Sequence, residues 1–112
     1  MFFIAKVHME TPTPSRLKSA RKAAGLTQQQ LGMALGMEPN TASARMNQYE
    51  KGKHAPDFLT MKRIAKELGV PVAYFYCEED DLAELICSWG KMSFEGRQKL
   101  IYSLQNAILK NK

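Results

Sequence analysis

The sequence predicts an all-α protein. Three observations carry the prediction: apolar residues recur at three- and four-residue spacing through most of the chain, Thr, Asp or Ser stands where these stretches begin, and glycine stands where they stop. Only the N-terminus departs from this pattern. There Phe3, Ala5, Val7 and Met9 alternate with Ile4, Lys6 and His8, which reads as a short edge strand or a loose leader. Glu10 to Pro14 (ETPTP) can neither continue a strand nor start a helix before its last proline, so it reads as a linker.

Helix one is expected from Pro14 or Ser15 to Ala24, with Leu17, Ala20 and Ala24 inward, Arg16, Lys18 and Lys22 outward, and Gly25 as its stop. Thr27 caps a second helix, Gln28 to Leu35, whose Leu31 and Leu35 share a face, and Gly36 ends it. Pro39 sits in the first turn of a third helix that runs to about Lys51, with Gly52 behind it. Two helices about a tight glycine turn are a candidate helix-turn-helix. Asp57 caps a fourth helix to Leu68, with Phe58, Met61, Ile64, Ala65 and Leu68 at core spacing and Gly69 as stop. Val72 to Tyr76 forms one short further turn.

The acidic run Glu78 to Asp81 suits a helix N-terminus and opens a helix to Trp89. Its Leu82, Leu85, Ile86 and Trp89 form an apolar stripe at i, i+3, i+4, i+7. Ser93 caps a last helix, Phe94 to about Leu109, with Leu100, Ile101, Leu104, Ala107 and Ile108 on one face.

At 112 residues the chain is one domain, or one domain with an appendage, and is long enough to bury a core without a disulfide or metal staple. The expected division is an arm or strand at 1–13, a bundle at 14–76 and a helical pair at 77–112. Length excludes a TIM barrel or a full dinucleotide-binding domain. No apolar run approaches the roughly 18 to 20 residues of a membrane span, and Met1 to Met9 makes a poor secretion signal. The cytoplasm is the expected location. Cys77 and Cys87 stand ten apart with only His8 and His54 elsewhere, which matches no zinc spacing, so no metal is expected. They read as reduced thiols or as a redox switch. Residues 1–76 carry eleven basic and five acidic side chains, a net of +6, whereas 77–112 carry five and six, a net of −1. A basic first two-thirds is what a polyanion such as DNA requires, although a solvated surface gives the same count.

The runs LTQQQLGMALG (Leu26 to Gly36), YEKGK (Tyr49 to Lys53) and IAKELGVPVAYF (from Ile64) together resemble the phage-repressor-like helix-turn-helix proteins, the Cro and lambda repressor (XRE) group of transcription regulators. The resemblance covers Ser15 to Phe75. It implies a compact lambda-repressor-like bundle of five helices, with the C-terminal helices as an extension, that binds double-stranded operator DNA as a homodimer with its third helix in the major groove. It needs no cofactor and no catalysis.

Helix geometry supports the assignment of that third helix independently. At 100° per residue, Ala42, Met46 and Tyr49 fall within about 60° of one another and must face the core. Asn40, Thr41, Ala44, Asn47, Gln48 and Lys51 are then forced to the opposite side, with Ser43 and Arg45 on the flanks. Asn and Gln can bind adenine bidentately, Thr and Ala can touch the thymine methyl, and Arg can take guanine. Asn40, Thr41, Ser43, Ala44, Arg45, Asn47 and Gln48 are therefore the candidate base contacts. Thr27 and Gln28 at the start of helix two, and Lys51, Lys53 and His54 after helix three, are the candidate phosphate contacts. Arg21 and Glu50 match positions that form a buried ion pair in relatives.

Two departures from the family pattern stand out. Gly36 to Glu50 spans fourteen residues where the pattern has about ten, and four residues make about one helical turn. The extra turn falls at Pro39 through Ala42, lengthening either helix three or the turn before it. The second departure is Gly32, where the pattern has alanine, at about 1 kcal/mol of helix propensity.

The apolar stripes Leu82, Leu85, Ile86, Trp89 and Leu100, Ile101, Leu104, Ile108 exceed what a two-helix appendage can cover alone. A dimer interface is expected, because a two-fold regulator reads palindromic half-sites, and a cap on a monomer is the alternative. The reading is thus a sequence-specific repressor at the nucleoid. The alternatives are an antitoxin or controller protein with a toxin or RNA polymerase as partner, or an interaction module that has lost DNA binding. No paired carboxylates, no Cys and His close in sequence and no glycine-rich phosphate loop point to an enzyme.

Overall fold

The structure, a computed structural model, describes residues 11–111. The chain forms α1 (Thr13–Ala23), α2 (Gln28–Ala34), α3 (Pro39–Glu50), α4 (Phe58–Leu68), a 3-10 turn (Val72–Tyr76), α5 (Asp80–Lys91) and α6 (Phe94–Lys110). No strand occurs among the described residues. The alternating segment Phe2 to Met9 lies outside them.

The helix ends follow local chemistry. Thr27 and Gln30 close a reciprocal capping box on α2: the Thr27 hydroxyl accepts from the Gln30 N–H at 3.0 Å, and Gln30 Oε1 accepts from the Thr27 N–H at 2.9 Å. Asp57 caps α4 through the Thr60 N–H at 2.8 Å, and that backbone hydrogen bond holds its carboxyl below the ordinary range. Ser93 caps α6 through the Gly96 N–H. Between α2 and α3 the chain turns through Gly36 at φ +94°, with Met37 N–H bonded to the Gly32 carbonyl and Gly36 N–H to that of Met33, the paired bonds of a Schellman motif.

Leu17, Leu31, Met46, Met61, Ile64 and Phe75 are fully buried, and Ala20, Leu35, Ala65 and Leu68 complete the core. Three positions differ from the expected pattern, one of them Arg16, expected outward, whose side chain is only 14 % exposed because it turns onto the carbonyls of Cys77 and Glu78. Phe58 is 56 % exposed, because the first turn of α4 projects past the core and its ring meets Tyr76 and Lys62 instead. Ala24 is exposed, since α1 ends at Ala23 and the chain turns outward there.

The extra turn lengthens the helix, since α3 begins at Pro39 and runs twelve residues. This also explains Gly32. A Cβ at that position would lie 2.6 Å from Ala42 Cβ and 2.9 Å from its Cα, so the added turn packs directly against a bare backbone on α2. The two departures from the family pattern are one contact.

The C-terminal helices are held unequally. Arg16, on α1, donates to the carbonyls of Cys77 and Glu78, pairs with Asp80 at 3.0 Å and lies over the Tyr74 ring. Thr13 Oγ1 donates to the Phe75 carbonyl, and Gly90 lets α5 approach Pro71 so closely that a Cβ would sit 2.9 Å from its ring. The α5 residue buried against the bundle is Ala83, not a member of the leucine stripe. In contrast, α6 buries no residue, and Arg97 ties its first turn to α5 by donating to the Trp89 carbonyl and lying over the indole.

Candidate nucleic-acid interface

The buried side of α3 is set by Ala42 and Met46, both fully buried, and by Glu50. That orientation leaves Asn40, Thr41, Ser43, Ala44, Arg45 and Asn47 exposed and Gln48 half-buried. The exposed side of α3 is therefore short, polar and without a carboxylate. The helix's one acid, Glu50, is turned inward.

Arg21 and Glu50 meet as a bidentate pair, with Arg21 Nε on Glu50 Oε2 and Nη2 on Oε1 at 3.1 Å, their side chains 10 % and 2 % exposed. Arg21 also donates to the Leu26 carbonyl at 2.8 Å, so the pair ties α1 to the start of the helix-turn-helix and to the end of α3. Gln28 joins this pair. Its amide donates to Glu50 Oε1 at 3.1 Å and to Asn47 Oδ1 at 3.2 Å, and its carbonyl accepts from the Ser43 hydroxyl at 3.4 Å.

The basic residues after α3 lie together at one end of the exposed face. Lys51, Lys53 and His54 are exposed, and the N–H groups of Lys53 and His54 donate to the Gln48 carbonyl, which folds the segment back against the helix. A groove of ≈ 770 Å³ beside them is lined by Ser15, Lys18, Tyr49, Lys51, His54 and Tyr76, and a smaller one of ≈ 350 Å³ by Arg45, Gln48, Tyr49 and His54. Arg45 and His54 thus face the same space, though nine residues separate them. Thr27 stands exposed at the start of α2, with its hydroxyl engaged in the capping box.

Two side chains that brace this surface carry no sequence signal. Gln29 donates to the Pro39 carbonyl at 3.1 Å and holds the first turn of α3, while Arg63 donates to the Leu35 carbonyl at 2.6 Å and holds the turn between α2 and α3. A polar Gln on α2 and a single Arg on α4 look like solvated surface until the turn is folded. Among the described residues, no group of His, Cys, Asp and Glu could hold a metal ion, and no helix is long and apolar enough to cross a membrane.

A helix-turn-helix family profile matches residues 17–75, more than half of the chain. The chain belongs to the XRE-type helix-turn-helix family. The matched helix-turn-helix segment runs from Leu17, within α1, to the buried Phe75 and so contains the whole core cluster. Among solved structures, the crystal structure of the transcriptional regulator BswR is similar over 83 % of this chain and 92 % of its own, with a TM-score of 0.80 and 46 % sequence identity. That coverage reaches beyond the family profile. No curated protein matches the chain.

On the C-terminal helices of this helix-turn-helix protein, Leu82, Leu85, Leu104 and Ile108 are exposed and Ile86, Trp89, Leu100 and Ile101 half-buried. Cys77 is buried and Cys87 half-buried, both as free thiols, and burial pushes the Cys87 thiol up from its ordinary value.

Proposed function

We propose that this chain is a transcription repressor that reads a palindromic operator as a homodimer. In this reading α3 lies in the major groove with Asn40, Thr41, Ser43, Ala44, Arg45, Asn47 and Gln48 at base edges. Thr27, Lys51, Lys53 and His54 contact phosphates. The single observation that carries it is the exposed face of α3, a continuous polar surface whose helix has its one carboxylate buried against Arg21. A solvated helix face would more commonly carry Glu and Lys pairs. The excess of eleven basic over five acidic side chains in residues 1–76 supplies the field that draws such a surface to DNA.

The dimer is assigned to the exposed apolar residues of α5 and α6, residues 77–112 forming the assembly unit and 14–76 the reading unit. Leu104 and Ile108 are 49 % and 60 % exposed, and a second copy would remove them from water. The protein acts in the cytoplasm at the nucleoid.

The test is selection of genomic fragments with the purified protein at about 0.15 M salt, which fixes the non-specific background. The enriched sequence is then titrated with the wild type and with Asn47→Ala/Gln48→Ala. The expected result is an inverted repeat with half-sites about 34–36 Å apart, or a multiple of that, bound more weakly by the folded double variant. Uniform, salt-sensitive binding without an enriched motif overturns the proposal.

A further inference from the structure

Gln28 opens α2, where a side-chain amide is expected to reach a phosphate oxygen, yet its hydrogen-bonding capacity is already engaged within the protein. A glutamine amide has two N–H donors. Here one reaches Glu50 Oε1 at 3.1 Å and the other Asn47 Oδ1 at 3.2 Å, while the Gln28 carbonyl accepts from Ser43. The direction of this chain of bonds is fixed at its buried end. Arg21 can only donate and the ionised Glu50 can only accept, so the Gln28 group that faces Glu50 must be its NH2. That NH2 also meets Asn47, whose facing atom must then be the carbonyl oxygen.

We propose that Gln28 is a positioning residue that fixes the polarity of Asn47, so that Asn47 presents its own NH2 to the major groove and selects a base edge carrying an acceptor. Purine N7, guanine O6 and thymine O4 are such acceptors, whereas the cytosine edge offers a donor. The buried ion pair thereby reaches the DNA surface through two side chains, from Arg21 to Glu50 to Gln28 to Asn47. This inference rests on the DNA-reading proposal above.

The test starts from the operator enriched by the wild type and all its single-base variants. Asn47→Ala identifies the position that Asn47 reads, as the one where base preference disappears. The wild type is expected to discriminate among base pairs at that position by about five-fold or more. Gln28→Met, which keeps the length of the side chain but none of its hydrogen bonds, is expected to reduce discrimination at that same position to within about two-fold and to leave the other positions unchanged. The double variant is expected to bind no more weakly than Asn47→Ala alone, since both changes remove one function. Asn47→Asp keeps an acceptor facing Gln28 but presents only acceptors to the groove, and is expected to move the preference at that position to a base pair that places a donor, cytosine N4 or adenine N6, where the acceptor stood.

An unchanged preference in Asn47→Asp, or an equal loss by Gln28→Met across every operator variant, overturns the positioning role. The last result would mark Gln28 as a phosphate contact. Selection that enriches no sequence at all overturns the DNA-reading proposal itself, and this one with it.

Discussion

Replacing Gly32 with alanine tests whether the long helix α3 is seated as described. In an ordinary helix interior this change stabilises by about 1 kcal/mol, because glycine loses more backbone freedom on folding. At Gly32 the added methyl would lie 2.6 Å from Ala42 Cβ, 2.9 Å from its Cα and 3.0 Å from its carbonyl oxygen. Carbon atoms pack at about 3.5–4.0 Å, so α2 and α3 must separate by about 1 Å. Two of the three opposing atoms are backbone, which cannot swing aside, so the cost falls in the upper part of the roughly 1–3 kcal/mol typical of overpacking. Set against the propensity gain, the net loss is about 1–2 kcal/mol, with a fall of roughly 4–8 °C in melting temperature for each kcal/mol in a small domain. Thermal and urea unfolding followed by circular dichroism provide the measurement. Ala42→Gly in the same chain should restore part of the loss, giving a favourable coupling in the double-mutant cycle. A Gly32→Ala protein that melts at or above the wild-type temperature refutes the close approach and, with it, the account of why glycine stands there.

Further outcomes follow from other contacts. Glu50→Ala leaves the Arg21 guanidinium buried without its partner and should reduce stability by about 3–5 kcal/mol in urea titrations, so weaker DNA binding by that variant reports on the fold and not on a base contact. Leu104→Ser/Ile108→Ser alters side chains on a helix with no buried residue, so helix content should stay unchanged while sedimentation velocity shows the proposed dimer of the wild type replaced by a monomer. The pH profile of stability should fall at both ends. Burial raises the Cys87 and Tyr74 groups, so their contribution is complete below their unfolded values and lost as pH rises through the folded ones. Asp57 is lowered by its cap bond, so its contribution is present above its unfolded value and lost as pH falls through the folded one. Melting curves of Cys87→Ala and Asp57→Asn should flatten the alkaline and acid limbs respectively.

Much of this fold was legible because its punctuation is local. Thr27, Asp57 and Ser93 cap the helices that their position in the sequence predicts, and a cap needs only the residues within one turn of it. The inward side of α3 followed from helical period alone, since Ala42 and Met46 define one direction and Asn47 must then point away from it. Residues whose role depends on a distant backbone were not legible. Phe58 fits the apolar stripe of α4 by spacing, and only the end of the core leaves it outside. Gln28 could be placed at the start of α2, but its bonds to Ser43, Asn47 and Glu50 cross to another helix and have no counterpart in local pattern. Gly32 was visible as an oddity whose cause lay ten residues away in Ala42.

Arg16 bears on how such a protein can be divided. Its side chain spans from α1 to the carbonyls of Cys77 and Glu78 and to Asp80, so the segment that follows the matched family region is stitched into the first helix of that region. A cut after Tyr76 would strip the guanidinium of three partners and expose Ala83's seat on the bundle. A cut at the joint of Met92 and Ser93 breaks the tie from Arg97 to Trp89 and uncovers no fully buried residue of α6. Chimaeras that keep the contacts of α1 intact should therefore be spliced there, with α5 travelling with the bundle to which Arg16 ties it.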